Sequence, residues 1–209
     1  SKPAKETCPL LYDLTSLQRE ANSRFGFSAK STLGLAQALY EKHKVLTYPR
    51  TDSRALPEDY LETVKETLQS LTASPYHEFA SQILVSDWVK PNKRIFNNAK
   101  ISDHFAIIPT SLEPKKLNEA ESKLYDLVTK RFLAIFYPSA EYLVTTRITR
   151  VENETFKTEG KIMVNPGWQI VYGKSSPNPD SDQENLTLAA IDPNATVKTE
   201  EIDTIANQT

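Results

Sequence analysis

The apolar residues of this chain change their spacing once, at Pro138, and that change limits what the chain can fold into. Before it they recur every three or four residues. Leu61, Val64, Leu68 and Leu71 make one stripe, and Leu124, Leu127, Val128, Phe132 and Ile135 make another, the repeat of helices with a buried face. After it Tyr142, Val144, Thr146 and Ile148 alternate with Leu143, Thr145, Arg147 and Thr149, the period of a strand. The chain reads as α+β, α-rich first and β-rich second.

Local signals place the elements. Thr15 with Gln18 fits a capping box opening a helix over 16–24, which Gly26 ends. Ser28 caps a second helix over 29–42, with Leu35, Leu39 and Leu33, Gln37, Tyr40 at helical spacing. Residues 45–48 read as a short strand closed by Pro49, completing the local plan of a helix-turn-helix module. Pro57, followed by Glu58 and Asp59, starts a helix running to Leu71. Residues 72–100 read as irregular, and Asn118 with Glu121 caps a long helix over 119–136. A hairpin partner over 155–163, a Pro166-Gly167 turn and a strand over 168–172 follow. Residues 173–185 read as a polar, mobile loop, and two short strands near 186–191 and 196–202 finish the chain. The first twelve residues, with Pro3 and Pro9, read as a tail or connection.

Composition excludes several classes of chemistry. The five glycines form neither GxGxxG nor GxxxxGKS, so no loop here cradles a nucleotide phosphate. The lone cysteine, Cys8, makes neither an internal disulfide nor a zinc site, and the expected setting is reduced and cytoplasmic. No run nears the roughly 18 apolar residues of a membrane helix, and no leader is expected. The net charge of −2 hides an asymmetry: residues 14–56 carry seven Lys/Arg against three Asp/Glu, whereas 139–209 carry six against eleven. A bias of that size is more often a solvated face than a nucleic-acid footprint.

Chemistry concentrates in Leu46-Thr-Tyr-Pro-Arg-Thr-Asp-Ser53. In an extended backbone Tyr48 and Arg50 point to the same side. A guanidinium there favours a phenolate and holds a phosphate oxygen through its planar donor fork. Asp52 adds an orienting carboxylate and Ser53 a donor. His104, preceded by Asp103, is a candidate donor to a developing phosphorane charge. The alternative is structural for both, since most of nine tyrosines pack rings and a lone histidine commonly fills a structural role. His43 and His77 lie in charged or irregular surroundings, and three scattered histidines make no metal spacing.

Leu14-Thr-Ser-Leu-Gln-Arg-Glu-Ala-Asn-Ser-Arg-Phe-Gly-Phe27, residues 32–40 and the Tyr-Pro-Arg-Thr-Asp-Ser element together resemble type IA DNA topoisomerases. Asp103-His-Phe-Ala-Ile-Ile-Pro-Thr110 resembles their His-x-Ala-Ile-x-Pro element. Pro49 and the Ile-Ile-Pro wording are similar to the topoisomerase III branch. The resemblance runs from Leu10 to the C-terminus and is specific up to Thr110. It implies that Tyr48 attacks a single-strand phosphodiester, giving a 5′-phosphotyrosyl link and a free 3′-hydroxyl, with religation that needs no ATP. It implies that Arg50 positions the scissile phosphate, that His104 donates to it, and that Asp52 or Asp103 orients, with Ser53 supporting. Arg24, Lys44, Thr51 and Arg54 are the expected DNA contacts. Phe105 departs from relatives that carry a second histidine there.

The resemblance also implies what lies elsewhere. The family's acidic Toprim domain, which holds Mg2+, belongs upstream; this chain has no metal-binding residues of its own on that reading. A Lys-Pro-Pro-x-Arg-like start of the next domain is not found. The chain is thus expected to be a central piece, inactive alone, of a bacterial, nucleoid-associated enzyme. Its expected parts are an N-terminal connection (1–13), a catalytic-tyrosine domain (14–116), a connecting helix (117–138) and part of a β-rich gate (139–209). Partners would be single-stranded or underwound DNA and the remaining domains of the polypeptide, with no membrane. The competing reading is a non-catalytic single-stranded DNA-binding module, with Lys30, Lys42, Lys44, Arg24 and Arg54 on phosphates and Phe25 or Phe27 on bases. A structural adaptor leaves the tyrosine element unexplained, and a tyrosine recombinase lacks its Arg-His-x-x-Arg set here.

Overall fold

The computed structural model describes residues 1–151 and 153–173. In chain order they form β1 (Lys2–Glu6), α1 (Leu14–Phe25), α2 (Ala29–Glu41), α3 (Leu61–Leu71), α4 (His77–Val85), α5 (Glu119–Ala134), β2 (Ala140–Val151) and β3 (Glu154–Asn165). Short 3₁₀ helices lie at Asn98–Lys100 and Gly167–Tyr172. The mixed α+β class expected from the change of period is the class observed. The expected strands near 186–191 and 196–202, and the loop beyond Gly173, lie outside the described residues.

The helix starts follow local chemistry. Asn118 and Glu121 close the expected capping box of α5, each side chain bonding the other's backbone N–H at 2.8 and 2.9 Å. Ser28 caps α2 by accepting from the Ser31 N–H at 3.1 Å. Helix α1 starts earlier than its Thr15–Gln18 signal. Asp13 is the cap, its carboxylate accepting the Ser16 N–H and hydroxyl, both at 2.6 Å, so a carboxylate placed two residues earlier takes the capping position. Gly26, at φ +69°, ends α1 in a left-handed conformation that favours glycine.

Four other expectations are corrected. Residues 57–60 form a turn, and α3 begins only at Leu61. Helix α4 lies inside the stretch read as irregular; no side chain caps it, and it buries just Ala80 and Ile83, too short a stripe to show a period. Residues 168–172 are 3₁₀ rather than strand. Their start is fixed by Gly167 (φ +49°), where a Cβ would stand 2.5 Å from the Pro138 and Ser139 carbonyl oxygens. The expected N-terminal tail contains β1, which pairs antiparallel with β2 from Lys2↔Val144 to Glu6↔Ala140. Pro3 is tolerated because β1 is an edge strand of the β1-β2-β3 sheet.

Helix α5 is buried along most of its length, leaving a polar stripe through Glu119, Lys123, Asp126 and Lys130, and it divides the core. Leu124, Tyr125, Leu127 and Val128 join Leu17, Ala21, Ala36 and Leu39 of α1 and α2. Phe132 to Ala134 join Val64, Leu68, Ala80 and Ile83 of α3 and α4. At its C-terminal end the buried Arg131 guanidinium donates to Glu20 (2.6 Å), to the Leu10 carbonyl (2.9 Å) and to the Tyr172 hydroxyl (3.2 Å), and lies 4.3 Å from the Tyr12 ring centroid. A buried cation is tolerable only with its donors matched in this way. Among the described residues no helix is long and apolar enough to cross a membrane.

Phe132 is fully buried, and Phe132→Ala is expected to lower unfolding stability by about 3 to 5 kcal/mol in denaturant titration. The Asn118 backbone N–H, assisted by His43, holds the Glu121 carboxyl below the usual carboxylate range. Its stabilising contribution is therefore present above that range and lost as pH falls through the lowered value. Glu121→Gln, which keeps the cap geometry, should flatten stability against pH on the acid side.

Candidate active site around Tyr48

Residues 44–55 form neither helix nor strand, so their backbone groups must find partners elsewhere. The expected strand over 45–48 is a single antiparallel bridge, Leu46↔Pro109. Thr47 secures it: its N–H donates to the Ile108 carbonyl (3.0 Å), its hydroxyl donates to the Ala106 carbonyl (3.0 Å), and the same oxygen accepts the Ile108 N–H (2.9 Å). Lys44, at φ +59°, turns the chain out of α2, and its carbonyl accepts from the Thr110 hydroxyl at 2.8 Å. The two motifs singled out in the sequence, around Tyr48 and around His104, are joined by these bonds.

Beyond the tyrosine the pattern repeats. The buried Thr51 hydroxyl donates to the His104 carbonyl at 2.8 Å, and its own carbonyl accepts the Leu14 N–H at 3.0 Å. Buried Ser53 donates to the Lys100 carbonyl at 2.8 Å. Arg54 turns inward, its Nε donating to the Leu11 carbonyl at 3.0 Å. Thr51, Ser53 and Arg54 thus brace the loop from within.

The reactive candidates meet at the surface of this framework. The Tyr48 ring lies 4.2 Å from the His104 ring and 5.4 Å, edge-on, from Tyr40 of α2. Arg50 is exposed and faces Gln37 of α2: with the amide oxygen turned toward it, Gln37 accepts from Nη2 at 3.2 Å and from Nε at 3.3 Å. Asp52 accepts from the Ser102 hydroxyl at 3.0 Å, while Asp103 stands exposed beside His104. Lys44 is exposed, its ammonium 5.6 Å from the Tyr40 ring centroid. Arg24 lies farther along α1, paired with Glu20 at 2.9 Å and 5.4 Å from the Tyr172 ring centroid. Phe25 and Phe27 pack on each other and against the α1–α2 core, and Phe105 packs on Tyr60. Thr47, Gln37 and Tyr40 were missed as site residues. Their helical or strand-like spacing carried a structural signal and nothing more.

Burial sorts the nine tyrosines. It pushes the phenols of Tyr12, Tyr60, Tyr76, Tyr125, Tyr137 and Tyr172 up, disfavouring the phenolate in each. Tyr142 accepts a 2.6 Å bond from Gln169. Among the described residues Tyr48 alone is in ring contact with a histidine. Burial likewise pushes the Cys8 thiol up to about 12, which keeps it protonated and inert at neutral pH. Among the described residues no group of three or more His, Cys, Asp or Glu side chains could hold a metal ion. The carboxylates nearest Tyr48 therefore do not fit a Mg2+ site by themselves.

The family model described as DNA topoisomerase matches residues 1–209. The chain belongs to the DNA topoisomerase family, within its type IA class and topoisomerase III-like branch. It is 47% identical over 190 residues to a DNA topoisomerase 3 of Bacillus licheniformis, covering 90% of this chain and 26% of that protein. It is 44% identical over 213 residues to the DNA topoisomerase 3 of Bacillus subtilis, covering 100% of this chain and 29% of that protein. Full-length topoisomerase I from Thermotoga maritima matches structurally with a TM-score of 0.57 at 26% identity, covering 83% of this chain and 28% of that one. The chain thus spans about a quarter of the length of the curated relatives it matches.

Thr47→Val keeps the shape of the side chain but leaves the Ile108 N–H and the Ala106 carbonyl without their partner. Unfolding stability should fall by about 1 to 3 kcal/mol, and hydrogen exchange at the Ile108 amide should accelerate.

Proposed function

We propose that this chain carries the tyrosine centre of an enzyme that cuts and rejoins one DNA strand. The observation that carries the reading is the placement of Tyr48 in contact with His104, with Arg50 two residues along and turned to the same helix. In this reading the Tyr48 oxygen attacks a backbone phosphorus and the bond from phosphorus to the 3′-oxygen breaks. The phenol proton is given up and the leaving oxygen is protonated to a 3′-hydroxyl. Arg50 offsets charge on the phosphate oxygens, and His104 donates a hydrogen bond as that charge develops. The phosphotyrosyl link conserves the free energy of the broken bond, so the reverse attack reseals the strand without a nucleotide.

The substrate is single-stranded or underwound DNA, met by the exposed Arg50 and Lys44 at the mouth of the site, with Arg24 farther out. Asp52 or Asp103 orients the imidazole; Thr51, Ser53 and Arg54 act by holding the loop. We assign residues 14–116 to the catalytic-tyrosine domain, 117–138 to a connecting helix and 139–209 to part of a β-rich gate. Mg2+ used by the complete enzyme is held by residues outside those described, in the remaining domains of the polypeptide. The chain by itself is inactive in cleavage, and the enzyme works on chromosomal DNA in the cytoplasm.

The test uses the complete enzyme carrying this chain and a 3′-labelled single-stranded oligonucleotide. A protein-linked label on a denaturing gel is expected, absent in Tyr48→Phe with oligonucleotide binding retained. Arg50→Ala should slow cleavage roughly a hundredfold or more. Ordinary cleavage by Tyr48→Phe would overturn the assignment. Salt-sensitive binding with no adduct from the unaltered enzyme would instead favour a single-stranded DNA-binding module.

A further inference from the structure

We propose that Gln37 and Tyr40, one turn apart on α2, are positioning residues that set Arg50 and Tyr48 for reaction. This rests on the reading of Tyr48 and Arg50 given above. Residues at i and i+3 share a helix face, and this face presents one polar and one aromatic side chain to the two reactive candidates.

The polar contact is decided by donor chemistry. A guanidinium carries five N–H donors and no acceptor, so only the amide oxygen of Gln37 can bond to Nε and Nη2, and it does so at 3.3 and 3.2 Å. That contact occupies the Nε side of the guanidinium plane. The opposite edge, with Nη1 and the outer Nη2 hydrogen, stays open as a two-donor fork for phosphate oxygens. Arg50 is exposed and sits on a loop without regular structure, where a long side chain otherwise samples many rotamers. An uncharged acceptor restrains it and leaves its full positive charge for DNA. A carboxylate at the same position would restrain it and neutralise it.

The aromatic contact acts on the nucleophile. Tyr40 meets Tyr48 edge-on, with ring centroids 5.4 Å apart and planes at 78°, a favoured arrangement for two rings. Tyr48 therefore touches α2 through Tyr40 and the 101–110 segment through His104. Both ring contacts limit the directions in which its oxygen can point. Arg50 is exposed and Gln37 is outside the buried core where they meet, so the loss of Gln37 should register in reactivity far more than in folding.

The complete enzyme carrying this chain provides the test, with single-turnover oligonucleotide cleavage, binding and thermal unfolding measured for each variant. Gln37→Leu is expected to lower the cleavage rate at saturating oligonucleotide about tenfold, with Tm and affinity little changed. Gln37→Glu should instead weaken oligonucleotide binding and reduce the slope of log affinity against log salt by about one. In an Arg50→Lys background, which lacks the fork, Gln37→Leu should have no additional effect. Tyr40→Leu should slow cleavage, and Tyr40→Phe, which keeps the ring, should restore it. Cleavage by Gln37→Leu at the unaltered rate, or an equal loss in the Arg50→Lys background, would overturn the assignment of Gln37. Cleavage by Tyr40→Leu at the unaltered rate would overturn that of Tyr40. If Arg50→Ala and Tyr48→Phe both cleave normally, the underlying reading fails instead.

Discussion

A segment that carries candidate reactive side chains to a surface without belonging to a helix or sheet must satisfy its backbone from outside itself. Here three hydroxyl side chains do so: Thr47 to Ala106 and Ile108, Thr51 to His104, and Ser53 to Lys100. Each spans more than forty residues of sequence and ties the tyrosine loop to the segment that carries His104. An unmade bond at a buried site is costly, so the bonds fix the two segments as one unit. The Tyr48–His104 contact follows from that pairing.

That unit rests on α5. The helix carries a wide buried face that meets neighbours on several sides and leaves Glu119, Lys123, Asp126 and Lys130 along one polar stripe. Its N-terminal half supports α1 and α2, and its C-terminal half supports α3 and α4. Arg131 then fastens the start of the chain to the same helix through Glu20, the Leu10 carbonyl and Tyr172. The neighbouring Leu11 and Tyr12 carbonyls accept from Arg54 and from the Ile107 N–H. The N-terminal segment is therefore a wall of the site.

What was legible in advance depended on range. The α5 box of Asn118 and Glu121, the Ser28 cap and the long hairpin rest on neighbours within a few residues, and they were read correctly. Strand β1 was not, because its pairing energy comes from β2, some 140 residues away, and five residues with a proline show no period. Helix α4 escaped for a related reason: two buried side chains and no cap leave too little pattern. In the site, Tyr48, Arg50 and His104 stood out as chemically unusual combinations. Gln37 and Tyr40 did not, since nothing local distinguishes a glutamine that faces an arginine from one that faces water.

The sequence by itself determined the α+β division, the caps that start α2 and α5, and the two short elements where the candidate site residues gather. Those are consequences of hydrogen bonding and periodicity over one or two turns. The tertiary structure alone decided that the elements meet, that Thr51, Ser53 and Arg54 turn inward, and that α2 backs both Tyr48 and Arg50. Those outcomes depend on which distant carbonyl or ring comes within about 3 to 5 Å of a side chain, the range over which hydrogen bonds and ring contacts act. Packing around α5 brings those partners into range.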